Sequence, residues 1–235
     1  DIEGFPQEDG RGFEYLHGIY FKNKNDYEFK FFWAKDFKKK YEKENFVELI
    51  KFFKDHFKKY PKAHLYHYNS YEKRSLRQLA SLYSSDFPEG SNFVDTLLRA
   101  EKFVDLFLII NQCARTSEKD MSLKSIEGVL YNFQRKGDVK KAEDSVKLYD
   151  YWLTSKDENT KKDIIEYNKE DCVSTYQLRE FLIKNKPETI DWYSITPEDE
   201  KKSYDKKPWE EVEVELLKAL DKKEIAKNPL TQTIR

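Results

Sequence analysis

Aromatic and β-branched residues dominate two stretches near the start of the chain, FEYLHGIYFK (13–22) and YEFKFFWAK (27–35). The turn-forming tetrapeptide NKND lies between them, so the pattern predicts a β-hairpin. Residues 1–4 lie shortly before the hairpin and would add a third neighbouring strand. We therefore expect a small antiparallel sheet in this part of the chain.

The hydrophobic period then changes to that of a helix. Apolar residues in 41–60 recur every three or four positions, which predicts a helix that ends at Pro61. The aromatic segment 63–69 predicts a short strand, and 71–84 predicts a second helix. The order hairpin, helix, strand, helix is typical of an α/β fold around a mixed sheet.

The pattern further along the chain is mostly helical. Residues 93–114 predict a helix, a very short strand near 103–106 and another helix. Further helices are predicted in three segments, 122–133, 142–153 and 159–185. The expected fold class is α/β, with three antiparallel strands, one or two parallel strands, flanking helices and a helical C-terminal extension.

The tail, residues 187–235, differs in composition from the rest of the chain. A charged linker precedes a segment that starts at Pro208, and proline is favoured at the first position of a helix. We expect residues 1–186 to form one domain, and 187–235 to form the linker and a C-terminal helix.

Composition narrows the function classes only partly. The 43 Lys and Arg residues nearly balance the 44 Asp and Glu residues, so the net charge of −1 gives no general attraction to nucleic acid. Binding of nucleic acid would need a local basic surface. Aromatic residues make up 16% of the chain, which favours a folded protein over a disordered one.

Two cysteines, Cys113 and Cys172, lie far apart, without a C-x-x-C motif or a histidine at ligand spacing. A zinc site is therefore not expected, and two separate thiols fit a reducing cytoplasm. We see no apolar run as long as a membrane span, and we see no leader peptide. We therefore expect a cytoplasmic location and no membrane association.

Acidic residues stand at three places that this fold can bring together. Asp1 and Glu3 are two positions apart on the first predicted strand and would point to one face. Glu72 starts the helix after the strand 63–69. Asp171 lies in the last core helix, one turn after Tyr167. Carboxylate oxygens are the ligands that hard divalent cations prefer, and several shared carboxylates can hold two ions about 3.5–4 Å apart.

These segments resemble the motifs of a known family. DIEG resembles motif I, D-x-E, of the DEDD-type 3′–5′ exonucleases in the RNase H-like superfamily. HYNSYE is similar to motif II and places His67, Tyr71 and Glu72 on matching positions. YNKED is similar to the Y-x-x-x-D form of motif III, with Tyr167 and Asp171.

The resemblance extends beyond the motifs to most of residues 1–185, in order. Segments such as EYLHGIYF, SLKSIE, DSVKLYDYWL and YNKEDCVSTYQLREFL look like the YprB-type RNase H-like domain. That domain occurs in RecB-like nucleases, often upstream of a superfamily 1 helicase. Two departures are visible. Glu72 stands where the wider superfamily has Asp, and the apolar half-strand that precedes D-x-E is missing, so we expect a truncated first strand.

The resemblance implies a metal-dependent 3′–5′ exonuclease that hydrolyses phosphodiester bonds at the 3′ end of DNA or RNA. Two Mg²⁺ or Mn²⁺ ions would be held by Asp1, Glu3, Glu72 and Asp171, and the Tyr167 hydroxyl would orient the attacking water. A role in DNA repair beside a linked helicase or RecB-like nuclease domain would follow. The alternative is a catalytically weak module that binds nucleic acid in support of such a domain.

Other residues keep two interpretations at this point. His67 is a structural hydrogen-bonding residue or a substrate contact, Lys124 is a solvated lysine or a phosphate contact, and Tyr71 is a further substrate-binding candidate. Among the competing acids, we expect Asp105 to be structural or near the site and Asp95 to have no special role.

Overall fold

The computed structural model describes residues 1–6, 12–137 and 142–192, and the predicted C-terminal helix lies outside them. The chain divides into two compact units, 1–186 and 187–235. Everything below concerns the described residues of the first unit.

Three antiparallel strands form the first sheet, in the order β1 (Ile2–Phe5), β2 (Phe13–Asn23) and β3 (Asp26–Trp33). The predicted hairpin is confirmed: β2 and β3 pair from Leu16 opposite Trp33 to the end of the ladder, and the turn carries Lys24 at a positive φ of 57°. Phe13 and Tyr15 of β2 are buried in the core, while Tyr20 and Phe21 further along the strand are partly buried.

A second sheet holds two parallel strands, β4 (Leu65–His67) and β5 (Phe103–Asp105). The strand directions and the α/β class are as predicted. In the described residues the hydrogen bonds divide the strands into two sheets, whereas the sequence pattern predicted one mixed sheet. A cavity of about 380 Å³ is lined by residues of β2, from the first sheet, and of β4, from the second.

Seven helices of the described residues surround the sheets. They are α1 (Lys39–Lys59), α2 (Tyr71–Leu82), α3 (Pro88–Arg99), α4 (Leu106–Cys113), α5 (Leu123–Leu130), α6 (Ala142–Ser155) and α7 (Glu158–Lys184). Each matches a predicted helix to within a few residues at its ends. Among the helices of the described residues, none is long and apolar enough to cross a membrane.

Two buried clusters fix α7, the helix that matters most for the site. At its start, Ile164 packs in an aromatic cluster with Tyr15, Tyr149 and Trp152. Near its end, Leu178 packs with residues of α4 and α5 and is fully buried. The segment between these anchors is therefore held from both sides and packs against β2.

Candidate active site

Three carboxylates converge at the edge of β1. One oxygen each from Asp1, Glu3 and Asp171 lies within 4.8 Å of the other two. Glu3 and Asp171 are buried, with 7% and 9% of their surface exposed, and Asp1 is half-buried. Three carboxylates at this separation repel one another unless a cation or a donor lies among them.

The strand β1 positions two of these acids. The backbone nitrogen of Asp1 donates to the Gly18 carbonyl at 2.9 Å, and the Gly18 N–H donates to the Asp1 carbonyl at 2.8 Å. Glu3 lies opposite Leu16 in the same ladder, and the register shifts just after it. Residues two apart on a strand share a face, so Asp1 and Glu3 point together, as the D-x-E spacing predicts.

A helix residue that the sequence analysis missed orients Asp1. Asn168 of α7 is fully buried, and its side-chain amide donates to Asp1 Oδ2 at 2.5 Å. Gly18 of β2 makes room for Asn168, because an added Cβ there would stand 1.6 Å from Asn168 Oδ1. An asparagine inside the YNKED segment, between Tyr167 and Asp171, was the available signal.

Glu72 faces the same cleft from the first turn of α2, but its carboxylate lies outside the group of three. The cleft has a volume of about 670 Å³, and Glu72 lines it with Asp1, Glu3, Tyr167 and Asp171. Its side chain is 13% exposed, and the buried Oε2 has no hydrogen-bond partner. The structure therefore places all five predicted catalytic residues around one cleft, with Glu72 set apart from the closest three.

Burial dominates the electrostatics of these acids. Desolvation raises the pKa of Glu3 to about 8, and the charge of Asp171 adds to the rise. Burial likewise raises the pKa of Glu72 to about 7. The donor set is all oxygen, crowded and desolvated, and the neighbouring Glu72 Oε2 has no hydrogen bond and lies 3.8 Å from His67 Nδ1. Such a set fits a hard divalent cation such as Mg²⁺ or Mn²⁺.

Tyr167 lies one helical turn before Asp171 and is buried, with 3% of its surface exposed. Lys124 of α5 donates to its hydroxyl at 2.5 Å, and the ammonium stands 4.3 Å from the ring centre. Burial, followed by the charges of Asp171 and Glu3, raises the pKa of Tyr167, so the hydroxyl stays protonated. Lys124 is half-buried at the site, which contradicts the interpretation of a solvated lysine.

Two further charged residues that the sequence analysis missed lie behind Asp171. Arg135 donates to Glu127 through Nε at 2.7 Å and through Nη2 at 2.9 Å, and the same Nη2 donates to Asp171 Oδ1 at 2.6 Å. Glu127 ends the SLKSIE segment, which the sequence analysis assigns to a helix and to the family resemblance without a role for Glu127. Its buried position, with 6% exposed, is a tertiary feature that the helical period does not reveal.

The remaining candidates have structural partners. His67 is buried and hydrogen-bonded to the Asn69 carbonyl at 2.6 Å, and it is not among the residues that line the cleft described above. Tyr71 lines the cleft, while its hydroxyl donates to Glu14 Oε2 at 3.1 Å. These contacts agree with the structural interpretation of His67 and leave a substrate role of Tyr71 open to experiment.

The two competing acids lie as expected. Asp105 caps α4 by accepting from the Phe107 N–H at 2.9 Å, and it also accepts from the Asn69 N–H at 2.9 Å. Asp95 is exposed and pairs with Arg99 one turn further along α3. Neither belongs to the group of three carboxylates.

Comparison with known families agrees with this fold. Residues 1–183 match the RNase H superfamily, and the chain belongs to it. Searches of curated proteins and of solved structures give no match. Membership implies binding of nucleic acid, is consistent with a nuclease, and fits the carboxylate cluster, because RNase H-like nucleases generally use divalent metals.

Proposed function

We propose that the protein is a metal-dependent nuclease that removes nucleotides from the 3′ end of DNA or RNA. One observation carries this proposal: Asp1, Glu3 and Asp171 bring carboxylate oxygens within 4.8 Å of one another, in a cleft that Tyr167 also lines. Membership in the RNase H superfamily supports the hydrolase class. The 3′–5′ direction and the DEDD type rest on the resemblance of the three motifs.

The metal ligands in this proposal are the clustered carboxylates, with Glu72 as the fourth ligand across the cleft. Two divalent ions, Mg²⁺ or Mn²⁺, would lower the pKa of the attacking water and stabilise the leaving oxygen when bound. Asn168 holds Asp1 in one orientation by its hydrogen bond to Oδ2, so less ordering is needed when a cation binds.

The tyrosine serves in positioning rather than as a base. Its raised pKa keeps the Tyr167 hydroxyl protonated at neutral pH, and the Lys124 ammonium already donates to the oxygen. The hydroxyl therefore keeps its own proton, which it shares with Asp171 by a hydrogen bond and would donate toward a water or a phosphate oxygen once a cation holds Asp171. Lys124 places a positive charge beside the same cleft, where it would favour the phosphate backbone.

The biological setting belongs to the same proposal. The resemblance to the YprB-type domain supports a place beside a superfamily 1 helicase or a RecB-like nuclease domain, and a function in DNA repair. Pull-down of the full-length protein with DNA of different end structures would test that setting apart from the catalytic chemistry.

The decisive experiment uses single-stranded DNA and RNA labelled at the 5′ end, with Mn²⁺, Mg²⁺ or EDTA. We expect a ladder of products shortened from the 3′ end, which EDTA abolishes. Asp171→Asn should nearly abolish turnover, and Tyr167→Phe should cause a smaller loss of about ten- to a hundredfold. Asp95→Asn is the matched control, because Asp95 is an exposed acid outside the cluster. Metal-independent cleavage, or equal activity of Asp171→Asn, would contradict the proposal.

A second candidate is a catalytically weak module that binds nucleic acid. The position of Glu72 outside the group of three carboxylates favours it, since an incomplete ligand set holds a second ion poorly. Binding of single-stranded DNA without cleavage at any Mn²⁺ concentration would select this candidate over the exonuclease.

A further inference from the structure

We propose that Arg135 is a positioning residue of this site: its guanidinium orients the Asp171 carboxylate and serves as its counter-ion before a divalent cation binds. This role rests on the proposed function and names a residue that none of the motifs contains. Arg135 acts through Asp171, and it is not among the residues lining the cleft.

The guanidinium joins two buried acids in a way that fixes its own orientation. Glu127 receives two hydrogen bonds, from Nε and Nη2, and Asp171 receives one from Nη2. The side chains of Arg135, Glu127 and Asp171 are only 12%, 8% and 12% exposed. A bidentate contact sets the plane of the guanidinium, so the bond to Asp171 Oδ1 fixes the rotation of that carboxylate. A lysine has one nitrogen and cannot reproduce this fork.

The loop that carries Arg135 is anchored to the same helix as Asp171. The N–H groups of Lys136 and Gly137 donate to Glu170 Oε1 at 2.5 and 3.0 Å. One turn beyond Asp171, the Ser174 hydroxyl donates to Glu127 Oε2 at 2.8 Å. Anchors therefore lie on both sides of Asp171, and the guanidinium is held in place without any ligand in the cleft.

Charge explains why a cation is needed at this point. Asp171 stands within 4.8 Å of Asp1 and Glu3, and Glu127 adds a fourth acid behind it. Loss of one partner of a buried ion pair leaves an uncompensated charge and strongly destabilises a protein. A divalent cation in the cleft would compensate part of the charge that Arg135 compensates in its absence.

The experiment compares Arg135→Met with the wild type in thermal unfolding, with EDTA and with saturating Mn²⁺. In EDTA we expect the midpoint of Arg135→Met to fall by about 5 °C or more. Mn²⁺ should then raise the midpoint of the variant by more than it raises that of the wild type. At saturating Mn²⁺, kcat should fall about tenfold or more, with KM for single-stranded DNA within about twofold.

Two variants keep the test decisive. Arg135→Lys retains the charge and loses the fork, so it should fold with a midpoint near that of the wild type and still lose kcat. If Arg135→Met does not fold, the kcat of Arg135→Lys decides whether Arg135 orients Asp171. Arg99→Met removes an exposed ion pair with Asp95 and is the control, for which we expect the Mn²⁺ response and kcat of the wild type.

A purely structural role of Arg135 predicts different results. The midpoint would then fall equally with and without Mn²⁺, and kcat at saturating Mn²⁺ would stay within about twofold for both variants; this outcome overturns the proposal. A wild type that shows no thermal response to Mn²⁺ also overturns it. A wild type that responds to Mn²⁺ but cleaves no nucleic acid refutes the exonuclease function, while the difference in Mn²⁺ response still decides whether Arg135 is the counter-ion.

Discussion

Gly18 and Asn168 together decide where the Asp1 carboxylate lies. Gly18 holds the backbone of Asp1 by two hydrogen bonds, and Asn168 holds the carboxylate from α7. A side chain at position 18 would displace the amide that orients Asp1. One glycine in a strand thereby affects both the packing of α7 and the direction of a candidate metal ligand.

Gly18→Ala should destabilise the protein and misplace Asp1. The added Cβ would overlap Asn168 Oδ1, and relief of such overpacking costs about 1–3 kcal/mol of unfolding free energy. Urea denaturation measures this loss, and a Mn²⁺ titration should show weaker binding. Gly128→Ala in α5 is the control, because a Cβ there meets no atom within 4 Å. Equal stabilities of the two variants would show that Asn168 moves aside without cost.

A second buried acidic pair, Glu14 and Glu42, gives the fold a pH dependence of its own. Burial raises the pKa of both carboxyl groups above the ordinary value of 4.5. Above that value the folded protein retains a proton that the unfolded chain has lost. The stability from each group is therefore full below pH 4.5 and is lost as the pH rises through the folded-state pKa.

Glu14→Gln should flatten this dependence. The amide keeps an oxygen for the Ser75 hydroxyl, which donates to Glu14 at 2.8 Å, and it does not titrate. Thermal midpoints measured in EDTA between about pH 4.5 and 7.5 should fall less steeply in the variant than in the wild type. Glu44→Gln, at a side chain that is 51% exposed, should keep the wild-type slope. An unchanged slope in Glu14→Gln would mean that this carboxyl is already ionised at pH 4.5.

The local spacing of residues predicts part of the site, but it does not predict the residues that hold the acids in place. Asp1 and Glu3 share a strand face, and Tyr167 and Asp171 share a helix face, so each pair follows from one period. Their catalytic roles stay predictions. Arg135 and Asn168 escaped notice because their partners lie on other elements, and no local period encodes a contact across 36 or 167 positions.

At the scale of elements, α7 is the part on which the site depends most. It supplies Tyr167, Asn168 and Asp171 from consecutive turns, and buried side chains hold it at both ends. A rigid helix fixes the distances among its residues better than a loop does. Changes in the packing of α7 should therefore reach the site even where they touch none of its residues.

Leu178→Ala measures how strongly the packing of α7 stabilises the protein. Leu178 is fully buried against α4 and α5, and removal of such a side chain costs about 2–5 kcal/mol of unfolding free energy. Urea denaturation should show the loss. Ile183→Ala on the same helix is the control, because Ile183 is 38% exposed and should change stability by about 0.5 kcal/mol or less. A similar loss in both variants would indicate that the end of α7 packs as a whole.

The helices and strands of the described residues were predicted well because their hydrophobic periods are strong. Their ends were predicted less well. Helix α3 begins at Pro88, five positions before the predicted segment, since its first turn, PEGSN, carries no apolar period. Helix α5 ends at Leu130, earlier than predicted, and the next residue, Tyr131, bonds to Ser174 of α7 at 2.8 Å.

At the scale of the whole molecule, the chain divides at residue 186. The three buried hydrophobic clusters lie within residues 1–186, among the residues that the structure describes. The strand order was the least predictable feature, because pairing joins distant segments such as Leu65 and Phe103. The strands form two sheets instead of one because of such long-range pairing, and no local sequence pattern predicts it.

Residues 1–186 should fold without the tail. A protein that ends at Lys186 should keep the thermal midpoint of the 235-residue chain within about 3 °C, together with its response to Mn²⁺. Circular dichroism and a Mn²⁺ titration measure both quantities. Loss of the cooperative transition on removal of 187–235 would contradict the independence of the first unit.

The hydrogen bond between Asn168 and Asp1 spans 167 positions and has a consequence for the order of folding. Closing so long a loop is entropically costly, so the contact between β1 and α7 should form late, after the hairpin and the local helices. During synthesis the three clustered acids can meet only after the chain has been made through Asp171 of α7. Assembly of the carboxylate cluster should therefore be among the last steps in the folding of residues 1–186.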